Sequence, residues 1–360
     1  MVRLALAVAA LLMAAACPAP VTEGPDAANS TSPDASAIAT DGSHEESDAA
    51  VTQGDGAVVA PDGGLVSPDG AVVTPDGAIE ESDAGGEGAD AGPASSHGTG
   101  GLTCSSTGSV SVSGTSYSFC VATVAGVEMK IVEPEPGTGP VRLAVYTHGD
   151  GAGPYTSGLA IKKHAPWTTK HRVLYVAAKA PNGCAWWLKP SYTTCDGVTP
   201  IPETAVDVGG ENAQALLAAI EALRAGWDVL DSPVLFGGSS GGSIFLSASF
   251  FPLHGDRFPG AYALSCGGDD PWAGSMAWDT TKPELVGATK LYFTYGDKDF
   301  VKPDVLDAIA YFQGLSLPMD VKVIAESVAE GASHCGNVGG SYSYDQIGRV
   351  GEVWTGYLGE

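Results

Sequence analysis

From residue 141 onward, short unbroken apolar runs alternate with amphipathic segments, and this alternation restricts the available folds more than any other feature of the chain. Val141–Thr147 (VRLAVYT), Arg172–Ala177 (RVLYVA) and Pro233–Phe236 (PVLF) are apolar on both faces, which suits strands covered from both sides. Between them, Glu211–Leu223 sets Ala213, Leu216, Leu217, Ile220 and Leu223 at helical spacing. The pattern goes on to predict a helix over Gly242–Phe250, strands at Ala261–Ser265 and Leu291–Tyr295, and a helix over Pro303–Phe312. A last strand at Asp320–Ala325 and a closing helix over Tyr344–Tyr357 complete it. Upstream, Tyr117–Val124 and Val127–Val132 flank Ala125-Gly126, which predicts an antiparallel hairpin at one edge. The fold class is therefore α/β, with a mostly parallel central sheet, helices on both faces, and ligands bound beyond the carboxyl ends of the strands.

Ahead of this region the composition changes. Arg3 precedes the apolar stretch Leu4–Ala16, which is too short to span a bilayer as a helix but suits a signal peptide over residues 1–16. Ala14-Ala15-Ala16 leading into Cys17 resembles a bacterial lipoprotein signal, with Cys17 as the lipidated residue; plain secretion after cleavage near Ala16 is the other reading. Residues 17–100 hold 16 Asp and Glu but no Lys or Arg, and Pro-Asp-Gly recurs at 61, 68 and 75. Such a segment cannot bury enough apolar surface to offset its chain entropy, so it reads as a disordered, self-repelling linker. Residues 101–360 then form the folded domain, with 26 acids against 16 bases. A net charge of −25 excludes general nucleic-acid binding. The expected setting is the bacterial cell envelope, with the membrane met only through the lipid, or else secretion; a monomer is expected.

Export also fits the cysteines. Beyond Cys17 there are six, an even number that reads as disulfides outside the cytosol. Short spacing favours Cys104–Cys120 and Cys184–Cys195, which leaves Cys266 with Cys335. No pair has zinc-ligand spacing, so no metal is expected.

Three strand ends carry chemistry. Phe236-Gly237-Gly238-Ser239-Ser240-Gly241-Gly242 lies between a buried strand and a helix, the setting of a nucleophile elbow. Gly-x-Ser-x-Gly fits in two registers, on Ser239 or on Ser240. Ser239 is preferred because its first glycine directly follows the apolar run, with the N–H of Ser240 then facing the reaction centre. His148-Gly149-Asp150-Gly151 follows another strand, where a backbone N–H, that of Asp150, would complete an oxyanion hole. His148 itself reads as packing beneath the loop rather than as a base. Of the seven histidines, His334 alone lies beyond the nucleophile in a strand-end loop, and it is the expected base. Asp299 in Gly296-Asp297-Lys298-Asp299 is the expected orienting acid, with Asp297 second and Asp269 or Asp270 as outside candidates.

Together HGDG, FGGSSGG, GDKDFV and GASHCG resemble the α/β-hydrolase superfamily, and within it the secreted esterases grouped with polyhydroxybutyrate depolymerases and feruloyl or acetylxylan esterases. Val206-Asp207-Val208, opening the helix before the nucleophile strand, adds to the likeness, although that group's usual aspartate pair is here Val206-Asp207. The resemblance implies a serine esterase acting through an acyl-serine without a cofactor, on small or polymeric esters of polysaccharides, phenolic acids or polyesters. A peptidase of the same fold is the alternative, and a carbohydrate-binding protein with a vestigial site is another. Only 23 residues, 267–289, separate the strand ending near Cys266 from the next, which argues for an open site. Trp186, Trp187 and Trp272, in two loops bordering it, are candidate substrate-binding residues.

Overall fold

The computed structural model describes residues 94–196, 199–338 and 340–359. The signal segment over residues 1–16, Cys17 and the linker as far as residue 93 lie outside the described residues. Nine strands form one sheet: β1 (Ser106–Val112), β2 (Thr115–Val124), β3 (Val127–Val132), β4 (Val141–Thr147), β5 (Val173–Lys179), β6 (Val229–Ser239), β7 (Gly260–Ser265), β8 (Lys290–Gly296) and β9 (Met319–Ile324). Their spatial order is β1-β2-β3-β5-β4-β6-β7-β8-β9. The first three pair antiparallel, β3 meets β5 antiparallel, and all later pairs are parallel. The expected hairpin is present, but β1 adds a further strand outside it. The chain steps from β4 out to β5 and back across β4 to β6, so its direction of travel reverses beside β4. A crevice opens at such a reversal, beyond the carboxyl ends of the strands.

Side-chain alternation along the strands builds two core layers. Leu143, Val145, Val234 and Phe236 face α2 (Glu211–Gly226), α3 (Gly241–Phe245) and α4 (Lys302–Gly314). Ala144, Tyr146, Leu235 and Ala263 face the opposite way, toward α1 (Leu159–His171) and α5 (Gln346–Tyr357). The predicted helix at 242–250 is longer in fact: α3 runs through a π-helical turn, Leu246–Phe250, into Phe251–His254. α1 has no clear apolar stripe in the sequence. Its stripe is broken by Pro166 and completed by His164, which bonds the Tyr175 hydroxyl and the Ile347 carbonyl. Burial lowers the His164 pKa to about 4, so the ring serves as a neutral core residue.

All three expected disulfides are present, Cys104–Cys120, Cys184–Cys195 and Cys266–Cys335. Residues 94–101, assigned by composition mostly to the linker, run against the start of β6. The Ser96 N–H donates to the Val229 carbonyl (2.8 Å), the Gly101 N–H to that of Gly226 (2.7 Å), and the Ser95 hydroxyl to the Asp228 carboxylate (2.6 Å). Among the described residues no helix is long and apolar enough to cross a membrane.

Candidate active site

Ladder pairing carries β6 well past its apolar run. Gly237 and Gly238 pair with Tyr146 and Thr147 on one side, and Ser239 pairs with Ser265 on the other. Ser239 is therefore a strand residue. Counting alternately from Leu235 puts it on the α1/α5 face, where its hydroxyl is buried 2.7 Å from the Tyr146 hydroxyl. The sharp turn falls one residue later, at Ser240, whose φ of 50° and ψ of −125° are strained for a residue with a Cβ. The glycines flanking Ser240 are sterically required. A Cβ on Gly238 would lie 2.7 Å from Gly242 C and Ser243 N, and one on Gly242 would lie 2.4 Å from the Thr147 carbonyl oxygen. The register preferred from sequence is thus corrected: the strained turn carries Ser240, and Ser239 belongs to the sheet.

Ser240 Oγ lies 2.7 Å from His334 Nε2, and His334 Nδ1 lies 2.9 Å from Asp299 Oδ1. With a carboxylate at Nδ1, that nitrogen carries the proton and Nε2 is left to accept from the serine hydroxyl. Asp299 is fully buried, and its Oδ2 also accepts the Cys335 N–H at 2.8 Å. Asp297, the second candidate, accepts the Glu326 N–H (2.7 Å) and does not reach the imidazole. The Phe300 ring, unforeseen in the sequence, lies over His334 with centroids 4.5 Å apart. Cys335, next to His334, is tied to Cys266 at the end of β7. The structure thus brings together two of the three expected residues, His334 and Asp299, and replaces Ser239 with its neighbour.

The loop after β4 reaches the same place. A Cβ on Gly149 would stand 3.1 Å from Ser240 Cβ. His148 sits beneath it: Nε2 accepts the Ala180 N–H (3.0 Å), which leaves Nδ1 to donate to the Gly149 carbonyl (2.7 Å). Burial lowers its pKa to about 4, which suits a neutral strut. The Ser240 N–H, expected at the oxyanion position, instead donates to the Ser265 carbonyl (2.9 Å). With the turn shifted by one residue, the donor at this position becomes the N–H of Gly241, which opens α3 and has no acceptor within the helix. The Asp150 carboxyl lies against Gly241, so close that a Cβ there would meet Oδ1 at 2.1 Å. Burial raises its pKa to about 6, opposed by a hydrogen bond from Trp187 and by the nearby His334.

No protein-family model matches this sequence, and no curated protein matches it either. Among solved structures the chain is similar to a thermostable esterase, at 14% identity and a TM-score of 0.40. That match covers 69% of this chain and 59% of the other, so this chain spans less than two thirds of the esterase's length. It is also similar to Est1E from Butyrivibrio proteoclasticus (11% identity, TM-score 0.39, covering 71% of this chain and all of that one). A third is the S-formylglutathione hydrolase FrmB from Staphylococcus aureus (12% identity, TM-score 0.41, covering 72% and 99%). The strand order decides the fold: an antiparallel start, the exchange of β4 and β5, and a Gly-x-Ser-x-Gly turn closing β6. The chain has the α/β-hydrolase fold.

In this α/β-hydrolase domain the three candidate tryptophans have separate fates. Trp186 is fully buried, stacked on Phe245 with centroids 4.9 Å apart, so it belongs to the core and cannot bind substrate. Trp187 is nearly as buried, and its Nε1–H donates to both Asp150 oxygens at 2.9 Å. The loop carrying it is also fixed by Cys184, whose carbonyl accepts the Gly151 N–H (3.0 Å). Trp272 is half-buried, with Nε1–H donated to Asp269 Oδ2 (3.1 Å), and it packs with Trp187 and Tyr192. Asp207 accepts the N–H groups of Glu211 and Asn212 and so caps α2, a structural task away from the triad. Among the described residues, the one grouping of His, Cys, Asp and Glu compact enough for a cation is Asp299, His334 and Cys335, where the sulfur is already in a disulfide.

Proposed function

We propose that this protein is a serine hydrolase that cleaves carboxylic esters through an acyl-serine on Ser240. The continuous hydrogen-bonded relay from Ser240 Oγ to His334 Nε2, and from Nδ1 to Asp299, carries this reading. Ser240 Oγ attacks the ester carbonyl as its proton passes to Nε2. The same proton then goes to the leaving alcohol, and water releases the acyl group by the reverse sequence. Asp299 holds the ring in its tautomer and stabilises the imidazolium. The N–H of Gly241 and that of Asp150 form the oxyanion hole, each lowering the barrier by about 3 kcal/mol.

The half-buried faces of Trp272 and Phe300 support an aromatic-lined cleft suited to esters of polysaccharides, phenolic acids or polyesters. Three disulfides support a place outside the cytoplasm, with lipidated Cys17 as the anchor. The test contrasts the two serines on a short p-nitrophenyl ester. Ser240→Ala lowers turnover by at least about 10⁴-fold with an unchanged circular dichroism spectrum. Ser239→Ala, which leaves the buried Tyr146 hydroxyl without its partner, costs about 1–3 kcal/mol of stability and spares most of the turnover. Undiminished turnover in Ser240→Ala refutes the assignment.

A further inference from the structure

Glu326 is a buried acid two residues past the end of β9, outside the triad and absent from every motif above. Its Oε1 accepts the hydroxyls of Ser333 (2.6 Å) and Ser343 (3.0 Å), and its Oε2 accepts the Lys298 N–H (3.4 Å). Its own N–H donates to Asp297 Oδ1 (2.7 Å), and the Asp297 N–H donates to the Ile324 carbonyl (2.9 Å). Ser333 is the neighbour of His334, and Lys298 the neighbour of Asp299. One carboxylate therefore grips both loops whose side chains must meet at 2.9 Å. The space it occupies is reserved for it: a Cβ on Gly296, the last residue of β8, would lie 2.0 Å from Glu326 Oε2. All three donors to the carboxylate are neutral, and together they offset the cost of keeping a charged group out of water.

We infer that Glu326 is a positioning residue that sets the distance between His334 and Asp299 by bracing the histidine loop against the acid turn. This rests on the esterase reading for its consequence in turnover but not for its geometry. An imidazole displaced by about 1 Å loses on the order of 10- to 100-fold in rate.

The experiment compares Glu326→Ala, Glu326→Gln and Gly296→Ala in the intact chain. The readouts are steady-state turnover of a p-nitrophenyl ester, the rate of labelling by a fluorophosphonate, and the downfield proton resonance of His334 Nδ1–H. Glu326→Ala is expected to lower kcat and labelling by about 10-fold or more, to leave KM within about twofold, and to broaden or abolish the resonance. Glu326→Gln keeps an oxygen for the two hydroxyls and restores most of the rate. Gly296→Ala, which touches no reacting group, reproduces the loss by displacing the carboxylate, and it serves as the test if Glu326→Ala does not fold. Turnover within twofold of wild type in both disrupting variants overturns the proposal, as does a lost rate with the resonance unchanged. If the wild-type protein is not labelled at all, the esterase reading fails, and the resonance alone judges the brace.

Discussion

On the Ser240 side of the site, main chain packs against main chain. Ser240 is held because Gly238 and Gly242 let the turn close against Ser243 and against the Thr147 carbonyl, with β4 and β7 paired on either side of β6. On the imidazole side the loops at 297–301 and 331–336 lie outside the sheet and meet through isolated bridges, Asp299 with Ser333 and His334 with Asn337, and a few backbone bonds such as Phe300 N–H to the Ser333 carbonyl (3.1 Å). Side chains add the rest: the Cys266–Cys335 disulfide, the Asp299 carboxylate, and Glu326. One half is placed by steric fit, the other by a few polar and covalent links from distant parts of the chain. The first half should therefore fail abruptly when a single atom is added, and the second by degrees as links are removed.

Among the variants that test this contrast, the largest loss of turnover is expected at Gly242. A methyl there meets the Thr147 and His148 carbonyl oxygens at 2.4 and 2.6 Å, and both belong to the main chain and cannot step aside. Gly242→Ala should cost about 3 kcal/mol in denaturant unfolding, and ester turnover should fall by about 100-fold or more. Near-normal values would show that the turn is softer than its contacts imply. An intermediate loss of turnover, with a larger loss of stability, is expected from the double variant Cys266→Ser, Cys335→Ser. Opening a link across 69 residues should cost about 4 kcal/mol, and turnover should fall by about tenfold while the circular dichroism spectrum persists. Removing Cys104–Cys120, remote from the triad, should leave turnover unchanged; equal losses from both pairs would erase the contrast between anchoring and general stability.

The smallest effect concerns pH. Asp269 follows β7 on the Ser240 side, its N–H bonded to the Ser247 hydroxyl. Burial raises its pKa to about 8, helped by the neighbouring Asp304 and Asp270. A carboxyl whose folded pKa lies above its unfolded value, near 4, adds stability that is complete below about pH 4 and is lost as pH rises through about 8. The melting temperature should drop by a few degrees between pH 5 and 9, and Asp269→Asn should flatten that drop. An equal slope in the variant would assign it to other groups.

This contrast also explains what could be read in advance. The inner parallel strands were legible because burial on both faces leaves an unbroken apolar run, Asp299 because it follows such a run, and His334 because it lies in a loop beyond the last strand, the exposed edge strand β9. The register of the elbow was obscured by a local fact: β6 continues through Gly237-Gly238-Ser239, residues with no apolar signature, so its end could not be placed by hydropathy. Alternation from Leu235 did hold the answer, since it sends Ser239 inward beside Tyr146. Trp186 was misassigned because composition cannot tell a ring stacked on Phe245 from one facing a cleft. Glu326 was invisible because its partners, Ser333, Ser343 and Lys298, are common loop residues that only the fold gathers around one carboxylate. α1 was missed for the same reason, as His164 becomes a core residue only once Tyr175 and Ile347 are in place.

The short stretch at Ser95–Gly101 docks beside Gly226–Leu230, where β6 begins, whereas Ser240 stands where β6 has just ended. Because β6 bulges, its span from Val229 to Gly238 runs beside only Val141 to Thr147 of β4, and six steps of about 3.3 Å put roughly 20 Å between the two ends. The described chain therefore enters the domain at one end of β6, and the Ser240 hydroxyl stands at the other.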